Sequence, residues 1–406
     1  MKKRIAYLLL TLAPLTTMAQ DISATVPIPA FVQKDGNLFH MASESAKGKP
    51  VLLQPLYWVK TLIDSSAVAT IDRDYIEQPK PSWAIEARTT LNQATLKMES
   101  SWEDPEEGNM NLWTKSKNGL STSAGLWLGY RGYGFGYSKE FGHTSGSTLS
   151  FGAMGGSFGI NLRISSYKSD MPDLYVDGVK LTSYDEDDDR LEDPIKVRTL
   201  FLDGYYMLNG KHFSYAAAYD QSLIQRKSAG SLMAGLMYYH TSVSFEDRSN
   251  WPLMAFMKGV GKLKFTQASV GAGYAYNWVP ARGWLVNMMV MPMLQFYNRL
   301  SAYTYRIYDD GVDITDSMVI DIDGTGSETD DVADIDEENI EIREGDVIKT
   351  NNRIGLTFDA RMAVVYNWSN YYLRLYGYYN RFPYSNDKGH GRLSEWKAYA
   401  TFGFRF

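Results

Sequence analysis

The sequence predicts an all-β fold: an antiparallel transmembrane β-barrel of about twelve strands, with fourteen the next count, behind a short periplasmic N-terminal extension. Three observations predict it. From Ser82 onward the chain falls into segments in which apolar and polar residues alternate, the mark of strands with a different solvent on each face. The connections alternate between two-residue turns and long polar loops. The composition holds 29 Tyr, 10 Trp and 34 Gly but no Cys. Aromatic girdles, tight turns on one side and long loops on the other belong to membrane barrels, whose signal is alternation rather than long apolar runs.

Residues 1–20 read as a signal peptide. Lys2, Lys3 and Arg4 form a basic n-region, Ile5 to Leu15 an apolar h-region, and Thr17-Met18-Ala19-Gln20 a small-residue cleavage site. Residues 21–80 lack strong alternation. Val26-Pro27-Ile28-Pro29 reads as extended and Val51 to Ile63 as one short helix, and the whole is expected to be the periplasmic extension. With no cysteine, a disulfide framework, a thiolate metal site and a thiol nucleophile are excluded. No segment after the leader offers eighteen consecutive apolar residues, which argues against membrane-spanning helices.

Residues 81–406 are the expected barrel. Candidate strands cover 82–98, 119–130, 133–141, 147–155, 157–168, 197–208, 211–221, 229–245, 265–278, 284–300, 352–367, 370–381 and 395–406. In 157–168, Phe158, Ile160, Leu162 and Ile164 share a face opposite Asn161, Arg163 and Ser165. Arg131-Gly132, Gly155-Gly156, Asn209-Gly210 and Ser369-Asn370 are hairpin turns. Thirteen candidates is an odd count, and bacterial single-chain barrels close with an even one. One segment between 197 and 300 is therefore misassigned, either by splitting one strand into two or by missing a strand within 246–264.

Charge is concentrated in two loops, 169–196 and 301–350. Asp309 to Asp346 holds sixteen acidic residues and one basic, and Asp170 to Asp193 holds ten and two. The whole chain is −6; with these stretches at −15 and −8 and the leader at +3, the remainder carries +14. Arg163, Arg353, Arg361, Arg374 and Arg405 all alternate with apolar residues, which places them in the lumen, because a lipid-facing arginine near the midplane costs about 2–4 kcal/mol. Two readings stay open for them. A cationic lumen favours anionic solutes; a plugged barrel pairs them with Asp203, Asp220 and Asp359. The final strand, 395–406, puts Phe402, Phe404 and Phe406 on its lipid face, with Lys397 and Arg405 inward. A terminal aromatic on such a strand looks like a signal read by the barrel-assembly machinery.

Asp74-Tyr75-Ile76 followed by Pro79 and Trp83, the Leu-x-Gly-Tyr series around 126–138 and the stretch NGKHFSYAAAYDQSLIQRKSAGS at 209–231 resemble an uncharacterised Bacteroidota envelope family, domain-of-unknown-function family 4421. The resemblance covers about residues 72–406 and implies an exported outer-membrane barrel without assigned activity. Its motif includes Gln225, Lys227, Ser228, Gly230 and Ser231, near a strand junction.

Two motifs suggest chemistry. His143 and Ser145 in FGHTSGS have the His-x-Ser spacing of barrel phospholipases, where a histidine activates a serine toward acyl esters. The Asn expected after the pair is missing, and the pair reads as part of a short polar loop. DIDGTGSETDDV at 321–332 places Asp321, Asp323, Thr325 and Ser327 at alternate positions with glycine sixth, as in a calcium loop, but Val332 stands where a bidentate Glu belongs. Weak Ca2+ binding is the cofactor reading; a solvated acidic loop is the other. The expected function is a non-enzymatic outer-membrane barrel, either a small pore for anionic solutes or a structural or surface barrel. The alternatives are a lipid esterase using His143 and Ser145, and a surface-binding module acting through loop 301–350. Its expected partners are outer-membrane lipid and the assembly machinery. Nothing in the sequence supports nucleic-acid binding.

Overall fold

A computed structural model describes residues 47–48 and 71–406, apart from 105–107, 119, 142–143, 170–171, 177–178, 181–192, 258, 316–338, 352–353 and 387–388. The signal peptide, the Val26–Pro29 segment and the helix expected over 51–63 lie outside the described residues.

Twelve strands form the wall: β2 (Trp83–Asp104), β4 (Ser121–Tyr130), β5 (Tyr133–Phe141), β6 (Thr144–Met154), β7 (Phe158–Ser169), β10 (Ile195–Met207), β12 (Ala229–Ser244), β13 (Val260–Trp278), β14 (Trp284–Asp309), β17 (Gly355–Trp368), β18 (Tyr371–Asn386) and β19 (Gly389–Arg405). Each pairs antiparallel with the next, and β19 closes the circle on β2, from Gly389↔Ser100 to Arg405↔Ala84. The remaining strands are β1 (Ile76–Glu77), β3 (Gly108–Asn118), β8 (Pro172–Val176), β9 (Val179–Lys180), β11 (Ile224–Gln225), β15 (Val312–Asp313) and β16 (Glu341–Asn351). β3, β8 and β9 extend the sheet beyond one rim of the wall through the outer half of β2; β15 and β16 do so through the outer half of β14.

Even closure comes from one correction. Candidate strand 211–221 is not a strand; it turns inward and contains the one-turn helix α1 (Ala216–Tyr219). The split-strand and missed-strand explanations both fail, because 229–245 and 265–278 are separate strands, β12 and β13, and 246–264 holds the short helix α2 (Trp251–Phe256) before β13 begins. With 211–221 removed, four strands instead of five separate the two acidic stretches, so both leave the barrel at the same end. Loop 301–350 is also shorter than expected: β14 runs to Asp309 and β16 begins at Glu341. Residues 382–386 and 389–393 form the paired tip of β18 and β19.

The other end carries the tight turns. At the β4–β5 turn, Arg131 and Gly132 both have positive φ, 48° and 89°, the mirror-image turn that matches strand twist. A Cβ on Gly132 would also lie 2.0 Å from the Met154 carbonyl oxygen. Outward positions along the wall are apolar and exposed, among them Leu126, Leu128, Phe151, Leu236, Val270 and Leu375. Trp83, Tyr130, Trp278, Trp284 and Trp368 ring the turn end of this belt, where an aromatic girdle meets a membrane interface. A bulge interrupts the β13–β14 pairing. Ala268 pairs with Tyr297 but Ser269 with Gln295, so Phe296 is an extra residue in β14. Beyond it the parity of β14 reverses, and Arg299, Ser301 and Tyr303 take outward positions.

At the loop end, residues 245–257 cap the wall. Trp251, Met254 and Ala255 of α2 pack with Phe245, Ile307 and Ile340. Glu246 accepts two hydrogen bonds from Lys262, at 2.8 and 3.1 Å, and one from the Tyr305 hydroxyl. Burial pushes the Glu246 carboxyl up, but the bonds from Lys262 and Tyr305 outweigh it and hold it below the usual carboxylate range. A depressed carboxylate stabilises the fold above its unfolded pKa, and the effect is lost as pH falls through the lower folded value. Glu246→Gln is therefore expected to raise hydrogen exchange over 247–257 near neutral pH, by no more than about fivefold for a partly exposed pair. Wild type and variant converge on acidification below the carboxylate range. An undiminished difference at acid pH would refute the assignment.

Candidate functional site: the lumen and its inward-folded segment

The β10–β12 connection, residues 208–228, folds from the turn end into the barrel. Phe213, Ser214, Tyr215, Ala216 and Ala218 are fully buried there. Small residues allow this: three consecutive alanines bring the α1 backbone close to the wall. Ser214 Oγ accepts the Ala217 N–H at 3.1 Å, and Gln221 ends the turn at φ 67°. A non-glycine residue in that left-handed region costs about 1–2 kcal/mol. Arg405 offsets it, donating to the Gln221 carbonyl at 3.1 Å and to its Oε1 at 3.0 Å.

The segments that carry the family resemblance meet here. β1 pairs with β11, Ile76↔Gln225, and buries Ile76 against the inward segment. Gln225 ties the plug to the wall. Its Oε1 accepts from Ser214 N and Asn277 Nδ2, both at 2.9 Å, and its Nε2 donates to the carbonyls of His212 and Lys227 at 2.6 and 3.0 Å. Ser228 Oγ accepts from Val279 N, and Ser231 Oγ accepts from Asn209 N, both at 2.9 Å. Gly230 leaves room for the Tyr274 hydroxyl, 1.9 Å from where its Cβ would stand. Lys227 reaches Asp74 at 3.4 Å on the exposed side. Gln225, Ser228 and Ser231 thus fasten the segment, Lys227 ties it to the β1 anchor, and Gly230 makes room on the outer face of β12.

Three of the lumen arginines, Arg361, Arg374 and Arg405, are spent on the same fastening. Arg361 lies 2.5 Å from Asp203 and 3.0 Å from Asp359 and donates to the Tyr215 hydroxyl at 2.8 Å. Tyr205 Oη sits between the two carboxylates, 2.9 and 2.6 Å away. Arg374 donates to Glu86 at 2.9 Å and to the Tyr219 carbonyl at 2.6 Å. Arg163 has no carboxylate partner among the described residues; its guanidinium lies over Phe201 and Tyr378, 4.5 and 4.7 Å from the ring centroids. Lys397 pairs with Glu395 at 2.9 Å. Asp220, expected beside an arginine, instead accepts from Ser222 N at 3.1 Å. Its place is taken by Glu86, which also pairs with Arg88 at 2.5 Å and accepts from Tyr372 at 2.7 Å. Parity was the signal for Glu86, since Ile85 and Ala87 on either side face outward. Between plug and wall, Arg88, Asn161, Arg163, Tyr219 and Tyr376 border a cavity of about 50 Å3, room for a few waters at about 10–15 Å3 each.

The other candidates fall elsewhere. Arg353, His143, Asp321, Asp323, Thr325 and Ser327 lie outside the described residues. Ser145 is in β6, not in a loop; it is exposed and pairs with Lys168 on β7. Phe402, Phe404 and Phe406 share the outer face of the last strand. Phe402 stacks with Tyr371 at 6.0 Å and Phe404 with Phe406 at 6.1 Å.

Among solved structures, the outer membrane protease OmpT of Escherichia coli aligns over 81% of this chain and 97% of its own, at 10% identity and TM-score 0.34. The translocator domain of the Neisseria meningitidis autotransporter NalP aligns over 92% and 96%, at 8% and 0.31. The COG4313 outer membrane channel of Pseudomonas putida F1 aligns over 83% and 100%, at 12% and 0.30. No curated protein matches the sequence. The family described as a domain of unknown function, DUF4421, matches residues 70–406, which takes in the β1 anchor, the inward segment and every strand of the wall; the chain belongs to that family.

Proposed function

We propose that this protein is a non-enzymatic outer-membrane barrel, exported by its leader, closed at the periplasmic end and active through its extracellular face. The turn end, with both ends of the barrel domain, is periplasmic; the end bearing the acidic stretches is extracellular. The exposed apolar belt and its aromatic girdle support membrane insertion. One observation carries the closed-barrel reading: residues 213–219 fill the lumen, and Arg361, Arg374 and Arg405, which an anionic solute would need, already hold carboxylates or plug carbonyls, while Arg163 lies against aromatic rings. The cavity of about 50 Å3 beside the plug is room for a few waters only, which supports a closed lumen. The chain reconstituted in planar bilayers is therefore expected to be electrically silent. Steady anion-selective steps from the unmodified protein would restore the pore reading and overturn this one.

A further inference from the structure

We infer that the outer face of β7, β10, β12, β13 and β14 carries a binding site for the phosphate groups of an outer-leaflet lipid. Strand register builds it. Lys196 of β10 stands opposite Lys168 of β7 and Ser244 of β12, and Ser244 opposite Lys262 of β13. One step nearer the apolar belt, Arg198 stands opposite Ser166 and Ser242, Ser242 opposite Lys264, and Lys264 opposite Ser301. Ser301 in turn stands opposite Lys349 of β16. Residues opposed in antiparallel strands share a face, so two consecutive rows of cations interleaved with serine hydroxyls run across the wall. The β14 bulge is what turns Ser301 and Tyr303 into these rows.

Height and charge identify the occupant. From Leu208 at the turn end to Arg198 is ten residues, which at about 3.3 Å each and a tilt of about 40° rises about 25 Å, the height of a barrel's lipid belt. Leu200 and Leu202 follow Arg198 on the same face, so the cations begin where the belt ends. Two are neutralised locally: Lys196 by Asp247 at 2.7 Å and Lys262 by Glu246 at 2.8 Å. Among the described residues, Lys264 donates to the Tyr303 hydroxyl, at 2.8 Å, and has no carboxylate partner. Lys168, Arg198 and Lys349 are exposed and have no carboxylate partner among the described residues. Arg198 and Lys264 are two strands apart, about 10 Å, and converge through flexible side chains on one phosphate, with Ser242 between them as a neutral donor. A cationic surplus continuous with an apolar belt matches a ligand that is anionic at its head and apolar at its tail, the phosphorylated glycolipid of an outer leaflet.

The site rests on the outer-membrane reading, and the tests separate the two. The mature chain in phosphatidylcholine nanodiscs is titrated with bisphosphorylated lipid A and with the same lipid after dephosphorylation. The unmodified protein is expected to prefer the phosphorylated lipid by tenfold or more, and R198Q/K264Q to bind it about thirtyfold more weakly, two surface cations being lost. Inorganic phosphate is expected not to compete. Equal binding of the two lipids by the unmodified chain overturns the site even if the variant fails to fold. Undiminished binding by a folded R198Q/K264Q overturns it as well, and competition by inorganic phosphate overturns the assignment to lipid. Density fractionation of the envelope tests location by itself: recovery in the inner membrane overturns the outer-membrane reading, whereas outer-membrane recovery with equal lipid binding overturns only the site.

Discussion

Replacing Arg361 with methionine is expected to destabilise the barrel by about 3–5 kcal/mol, the cost of stripping a buried ion pair of one partner. The geometry puts it at the upper end. Arg361 faces two carboxylates, Asp203 and Asp359, both fully buried and both within 3.0 Å of its guanidinium. Without it, two like charges remain buried in the lumen with Tyr205 between them. The plug also loses the bond to the Tyr215 hydroxyl. The triple variant R361M/D203N/D359N is expected to recover most of the loss, because replacing a whole buried charge cluster with neutral groups is often close to neutral. Denaturant unfolding of protein refolded into lipid vesicles measures both. A single variant as stable as wild type, or a triple variant no better than the single, would refute the cluster as the centre of the fold.

Much of the barrel was legible because a membrane wall imposes a strict rule on every strand: apolar outward, anything else inward. Parity alone put Arg163, Arg361, Arg374 and Arg405 in the lumen and the terminal phenylalanines on the belt. The same rule misled at 211–221. There Phe213, Tyr215 and Tyr219 alternate with His212, Ser214 and Asp220, but the segment has no lipid face; it is surrounded by the lumen wall, and both of its faces are buried. The local sign against a strand was Ala216-Ala217-Ala218, poor strand formers whose small volume suits a helical turn packed on all sides. Which carboxylate meets which arginine was not legible, since the partners come from strands far apart in sequence: Glu86 and Arg374 are 288 residues apart. The β14 bulge was equally silent, and with it the outward turn of Ser301. The acidic loops were legible as charge but not as strand extensions, because alternation of Tyr, Arg and Glu beyond the belt carries no apolar face.

Loosening the plug is expected to turn a silent barrel into a conducting one. Two arginines hold the inward segment by its carbonyls: Arg374 on Tyr219 at 2.6 Å, and Arg405 on Gln221 at 3.1 Å with a second bond to its side chain. Hydrogen bonds from charged donors are worth about 1.5–3 kcal/mol each, so R374M/R405M, which removes three of them, takes away about 4.5–9 kcal/mol of attachment and raises the open fraction about 10³–10⁶-fold. Arg374 is a usable lever because its loss does not orphan Glu86, which keeps Arg88 at 2.5 Å and the Tyr372 hydroxyl at 2.7 Å. Gln225 still clasps Ser214 and Asn277, so openings of this variant are expected to be brief. Replacing 211–227 with a short Gly-Ser linker removes the clasp as well and is expected to give long-lived steps. The order of the three proteins is the discriminating result. Silence in all three would mean that the lumen is shut by something other than this segment. Equal conductance in all three would mean that the segment does not shut it, and the inward segment would need a different physical reason to lie inside the wall.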